Sequence, residues 1–239
     1  MAKPADGAAR NRTAEDVPKA ARPTAANRRA CRVNPKPGKA MAPHPPPHTP
    51  TIPWRCCLLS GGASRRMGRD KALLPHHNGG CWLEHQLSLL ASLGAPVTLL
   101  SGHSLHLEIA QRLPLSPAIN ALEEPAPWQG PLLALHRLME HHPNQGLLLA
   151  PVDMPGLTAA ALQPLLSAAA SEPQRLHLAH DGQRLQPLLG YYPSLEPMRL
   201  HLAKAIAAGE RRLQAWLNQH PVRSVRLEPG ALRNINTPE

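Results

Sequence analysis

The sequence predicts an α/β domain, a single mainly parallel sheet flanked by helices, preceded by a disordered N-terminal tail. Three observations support that reading. From Trp54 onward, short apolar runs alternate with stretches of helical period, the pattern of strand–helix–strand crossovers. Residues 146–152 (GLLLAPV) are apolar throughout, as a strand covered on both faces requires. Residues 1–53 hold almost no large apolar side chain, so they lack the buried surface that would offset the entropy of ordering them.

Cys56, Cys57, Leu58 and Leu59 make a short buried strand that ends at Ser60. Leu83, Leu87 and Leu90 recur at helical spacing, an amphipathic helix closing near Gly94 with Pro96 beyond it. Residues 97–100 (VTLL) and 118–122 are further short strands. Gly130-Pro131 opens a helix whose apolar face is Leu132, Leu135, Leu138 and Met139. After the strand at 146–152, Thr158 is placed to cap an alanine- and leucine-rich helix. Residues 175–179 and 185–192 read as a strand pair joined by His180-Asp181-Gly182-Gln183, where Asp-Gly signals a tight turn. Helices over 195–208 and 210–219 and a strand over 222–227 complete the domain, which shows no internal repeat.

Charge divides the chain at the same place. Of 26 Lys and Arg against 16 Asp and Glu, residues 1–55 hold eleven bases and three acids, and the remainder is only +2. The division is therefore a tail, 1–53, and one domain, 54–239, long enough for a sizeable core. The tail's bases suit nucleic acid or an acidic surface, and its Ala/Arg content resembles an organelle targeting peptide, which Asp6, Glu15 and Asp16 argue against. It reads instead as an extension, with Met41 as a later start. Six aromatic residues in the whole chain leave little for base stacking, so a nucleic-acid partner is not expected. No run approaches the ~20 apolar residues of a membrane span and no secretory leader is present, so the expected location is cytoplasmic. Cys56 and Cys57 are neighbours that point to opposite faces of a strand and cannot share a metal. With Cys31 and Cys81 they are expected to be reduced and partly buried. His76-His77 and His141-His142 likewise lack ligand spacing.

Residues 58–74 (LLSGGASRRMGRDKALL) carry the chemistry. Gly61 and Gly62 allow a sharp turn and a close approach by a ligand. Arg65, Arg66, Arg69 and Lys71 place four cations within seven residues. Backbone N–H groups with fixed cations balance the charge of a triphosphate once water is displaced. This is not a Walker A loop, because Gly68 is followed by Arg69-Asp70-Lys71, and the G-x-G-x-x-G spacing is absent as well. The second chemical feature is Asp153, in Pro151-Val152-Asp153-Met154-Pro155 at the carboxyl end of the apolar strand, where open α/β sheets bind ligands. A carboxylate among apolar neighbours needs a cation or several donors. Mg²⁺ suits it, because that ion takes one or two carboxylates together with phosphate oxygens and water. As a helix cap Asp153 would stand five residues too early, with a proline between.

The loop resembles the signature L-x-G-G-x-S-x-R-M-G-x-D-K of the molybdenum cofactor guanylyltransferases, nucleotidyltransferases built on a Rossmann-like sheet. Further matches follow in order: Glu123-Glu124 then Gly130-Pro131-Leu132, His180-Asp181-Gly182 with Gln186-Pro187-Leu188, Gly209-Glu210-Arg211-Arg212, and the closing Asn234-x-Asn236-Thr237-Pro238-Glu239. Together they cover nearly all of 55–239. The resemblance implies transfer of GMP from GTP to the molybdenum–molybdopterin cofactor, with release of pyrophosphate and Mg²⁺ as cofactor. It implies that Leu59, Ser60, Gly61, Gly62, Lys71 and Asp153 bind the nucleotide, joined by Glu123 or Glu124, and that Asp153 holds the metal. Lys71, Arg66 and Asp153 would be the catalytic groups, and Asn234 and Asn236 would face the pterin. Beyond GTP and the molybdopterin cofactor, it implies molybdoenzyme maturation proteins as partners. Two positions depart from the pattern: the acid after the third strand is Glu where many relatives have Asp, and Leu100-Ser101-Gly102-His103 stands where an asparagine is usual. The competing readings are a sister transferase using CTP or a sugar phosphate, in which Ala-Gly is more usual than Ser60-Gly61-Gly62, and a non-catalytic nucleotide-binding partner of molybdoenzymes.

Overall fold

The computed structural model describes residues 52–61, 70–116 and 118–233. Of the tail assigned to 1–53, all but Ile52 and Pro53 lies outside the described residues. The strands are β1 (Trp54–Leu59), β2 (Val97–Ser101), β3 (Asn120–Glu123), β4 (Gly146–Pro151), β5 (Leu176–His180), β6 (Leu185–Pro193) and β7 (Val222–Arg226). They form one sheet in the order β3-β2-β1-β4-β6-β5-β7. Only β6 runs against the rest, pairing antiparallel with β4 and β5, while every other pair is parallel. Parallel neighbours need long crossovers. These carry the helices α1 (Trp82–Ala91), α2 (Ser104–Arg112), α3 (Pro131–His141), α4 (Ala159–Ser171), α5 (Glu196–Ala207) and α6 (Leu213–Leu217). The mainly parallel sheet flanked by helices is what the alternation of periods requires.

The core lies in two layers, one on each face of the sheet. Cys56 and Leu58 pack with Leu83, Leu87 and Leu90 of α1 and with Leu162 and Leu165 of α4. Cys57 packs on the other side with Leu132, Leu135 and Leu138 of α3 and Trp216 of α6. Each such leucine contributes roughly 1.5–3 kcal/mol by leaving water. The two cysteines thus serve opposite layers, and burial pushes both thiols up, Cys57 to about 12. They act as small apolar fillers rather than reactive groups.

Local chemistry sets the element ends. Thr158 Oγ1 accepts from the Ala161 N–H at 3.1 Å and starts α4. Gly130, at φ +95°, takes a conformation that side chains resist, and Pro131 follows as the first residue of α3. In the β5–β6 turn, Asp181 Oδ1 accepts from the N–H groups of Arg184 and Gln183, which hold its carboxyl down to about 2. Gln186 braces the same carboxylate at 2.7 Å. The matched Asp-Gly and Gln residues therefore build a turn.

Three elements differ from expectation. Helix α2 goes beyond the sequence expectation: its buried residues are the polar His106 and the small Ala110, which weaken the apolar period that Ile109 and Leu113 carry on the same face. Strand β3 begins at Asn120 rather than 118, since its pairing with β2 runs from Thr98–Asn120 to Ser101–Glu123. Helix α6 is shorter than 210–219, because the Glu210 carboxylate accepts from the N–H groups of Arg211 and Arg212 at 2.9 and 2.8 Å and holds them in a turn ahead of the helix. No described helix is long and apolar enough to cross a membrane.

Candidate active site

The chain leaves β1 toward β2 and β3 on one side, then returns to place β4 on the other. That reversal opens a crevice outside the strand ends. Leu59 at the end of β1 lies beside Pro151 at the end of β4, and a cavity of about 230 Å³ opens there. Leu59, Ser60, Gly61, Lys71, Asp153 and Trp128 are among its walls.

Lys71 begins a single 3₁₀ turn, Lys71–Leu73, which Asp70 caps by accepting from the Ala72 N–H at 3.0 Å. Across the cavity, Lys71 Nζ stands 3.7 Å from Asp153 Oδ2, with both side chains largely covered. Burial pushes the Asp153 carboxyl above its ordinary range, and the Lys71 charge pulls it part of the way back. A carboxylate in that position gains from any further positive charge brought near it.

Gly61 is next to Glu124. A Cβ built on Gly61 would lie 2.4 Å from Glu124 Oε2 and 3.3 Å from Trp128 Nε1, so the glycine makes room for a carboxylate of the protein itself. Glu124 Oε1 accepts from Arg137 Nη1 at 3.1 Å, and its side chain is only 2% exposed. The Trp128 indole N–H faces the same carboxylate, whose pKa burial raises and these two partners lower. Ser60 is buried, and its N–H is already bonded to the Leu100 carbonyl at 3.1 Å, which removes it as a phosphate donor.

The structure thus brings Leu59, Ser60, Gly61, Lys71 and Asp153 together, with Glu124 beside them. Glu123 is exposed at the end of β3 and lines a separate shallow cavity with His136 and Arg137. Gly62, Arg65, Arg66, Arg69, Asn234 and Asn236 lie outside the described residues. Sequence reasoning passed over Trp128, Asp70 and His106. A tryptophan two residues before Gly130-Pro131 in a chain with six aromatics was a usable signal. Asp70 sat inside the matched motif but was not a cation, and His106 gave no local sign at all. Among the described residues no three His, Cys, Asp or Glu side chains converge to hold a metal. A cation at Asp153 would complete its shell from substrate phosphates and water, which suits Mg²⁺ and not a structural zinc.

Residues 56–224 match the MobA-like NTP transferase domain. The chain belongs to that family. Molybdenum cofactor guanylyltransferase of Xanthomonas euvesicatoria is 34% identical over 190 residues, 78% of this chain and 92% of that protein. A Rhodopirellula baltica protein named "Probable molybdenum cofactor guanylyltransferase" is 34% identical over 197 residues, 80% of this chain and 92% of its own length. Molybdopterin-guanine dinucleotide biosynthesis protein A from Archaeoglobus fulgidus shares the fold, with a TM-score of 0.62 at 20% identity, covering 77% of this chain and 93% of that one. As a MobA-like NTP transferase the chain is a nucleotidyltransferase, and the crevice between β1 and β4 is where such a fold puts its ligand.

Proposed function

We propose that this chain transfers GMP from GTP to the molybdenum–molybdopterin cofactor, forming the guanine dinucleotide and releasing pyrophosphate. The observation that carries the site is the opposition of Lys71 and Asp153 across the cavity at the switch point; the names of the relatives support the choice of substrates. In the reaction, an oxygen of the acceptor's terminal phosphate bonds to the α-phosphorus of GTP. The bond from that phosphorus to the bridging oxygen breaks, and pyrophosphate leaves with the electron pair. Both reactants are anions, so catalysis consists of holding them in line and offsetting the charge that builds up.

Lys71 supplies a fixed cation to the phosphates, on a turn that Asp70 caps. Gly61 leaves the backbone bare on the cavity wall. Asp153 is the residue that would hold Mg²⁺, which when bound would supply Lewis-acid stabilisation of the charge that develops on the phosphate. Of the two glutamates, Glu124 supports the site by holding Trp128 and Arg137 in place. The roles of Gly62 in the cradle, Arg66 toward the departing pyrophosphate, Asn234 and Asn236 toward the pterin, and maturation proteins as recipients rest on the sequence resemblance. The test is a nucleotide panel: binding of GTP, CTP, ATP and UTP by calorimetry with Mg²⁺, and pyrophosphate release with the pterin acceptor. GTP is expected to bind tightest and to be turned over. Equal affinity for CTP would remove the guanylyl assignment, and no turnover with any nucleotide would remove the transfer reaction.

A further inference from the structure

Behind the wall formed by Ser60 and Asp70, a buried histidine joins residues on either side of segment 62–69. His106, on α2, is 1% exposed. Its Nε2 lies 2.8 Å from Asp70 Oδ2. Its Nδ1 lies 3.0 Å from Ser60 Oγ and 2.9 Å from Ser101 Oγ. Ser101 Oγ donates in turn to the Ser60 carbonyl at 2.9 Å. Nδ1 also lies 3.2 Å from the Ser60 carbonyl. The Asp70 carboxylate only accepts, so Nε2–H donates to it, and Nδ1 is shared among the oxygens of Ser60 and Ser101.

An apolar side chain at 106 would attach α2 to the sheet without the desolvation that an imidazole, two hydroxyls and a carboxylate require. It could not span from Ser60 to Asp70 with directional bonds. Asp70 uses its other oxygen to cap the turn that begins at Lys71, and Ser60 leads directly into Gly61. The imidazole therefore sets the distance between the Gly61 backbone and the Lys71 turn.

We propose that His106 is a positioning residue for nucleotide binding: it clasps Ser60 to Asp70 and so keeps Lys71 opposite Asp153. The inference rests on the reading of this cavity as the GTP site. Its effect must therefore appear in the affinity of the folded protein and not only in its stability.

The test uses the full chain with MgGTP, calorimetry for Kd and circular dichroism for folding. His106→Asn keeps a polar group near the Nδ1 position but is too short to reach Asp70. It is expected to weaken GTP about tenfold, the ratio that 1.4 kcal/mol represents. His106→Gln can place an amide N–H where Nε2–H stood, and should return GTP to within about threefold of the parent. If His106→Asn does not fold, Asp70→Ala cuts the same link from the more exposed side, together with the cap on the Lys71 turn, and is expected to weaken GTP by at least the same roughly tenfold factor. Parent-like Kd in the folded variants, or equal losses in His106→Asn and His106→Gln, would overturn the clasp. A parent chain that does not bind MgGTP would overturn the reading of the cavity, and the clasp with it.

Discussion

Replacing Gly61 by alanine tests what that glycine accommodates. Its φ lies outside the left-handed region, so alanine adds no backbone strain and the cost comes from contact alone. The new methyl would meet Glu124 Oε2 at 2.4 Å, and the carboxylate must retreat by roughly 1 Å to reach an ordinary contact. A free glutamate would do so at little cost. Glu124 is not free: its side chain is 2% exposed, paired with Arg137 at 3.1 Å and faced by the Trp128 indole. The expected loss is that of overpacking a fixed site, about 1–3 kcal/mol, or a fall in Tm of roughly 2–12 °C for a domain of this size.

Glu124→Ala alone strands Arg137 and leaves a void, at a cost of about 2–4 kcal/mol. In the double variant the methyl added at position 61 moves into the vacated space. The two losses should then fall short of their sum by about 1–2 kcal/mol. Thermal and urea unfolding of the four proteins gives the cycle. Additivity within about 0.5 kcal/mol, or parent-like stability in Gly61→Ala, would refute the claim that the glycine makes room for the buried carboxylate.

Other consequences can be checked alongside. Lys71→Ala should lower kcat/KM by roughly 10²-fold with the circular dichroism unchanged, as loss of one preorganised charge contact does; near-normal turnover would place Lys71 outside the chemistry. Asp153→Asn should abolish Mg²⁺-dependent transfer in a folded protein, while a mere cap would tolerate asparagine almost without cost. The same variant tests the sign of the pKa shift. Because burial raises the Asp153 carboxyl in the folded state, its charge costs stability above that folded pKa, and the cost fades as pH falls through it. The parent should therefore gain stability relative to Asp153→Asn on acidification, and a loss would mean a lowered pKa. Gly146→Ala would drive a methyl to 2.0 Å from the hydroxyl of buried Tyr191 in the middle of the sheet; a loss above ~3 kcal/mol in urea unfolding is expected.

Much of the fold is a local property of this chain. A strand buried on both faces must be apolar at every position, and 146–152 is; a helix on the sheet must repeat its apolar residues, and Leu83, Leu87 and Leu90 do. Turn and cap chemistry acts over two or three residues, so Thr158 and Asp181-Gly182 were legible in the same way. The glycine-rich, basic composition of 58–74 and the position of Asp153 at a strand end were equally local. Tertiary structure decided the rest. Lys71 faces Asp153 only because β1 and β4 are neighbours in the sheet. Glu124, rather than Glu123, meets Gly61 because β3 ends in register with Ser101 and the next residue turns inward to bond its carbonyl. His106 is polar, and its reasons for being buried are Ser60 and Asp70, 46 and 36 residues away. Periodicity reports which face of an element is covered, whereas a polar contact depends on what covers it, and that is settled only when distant elements pack.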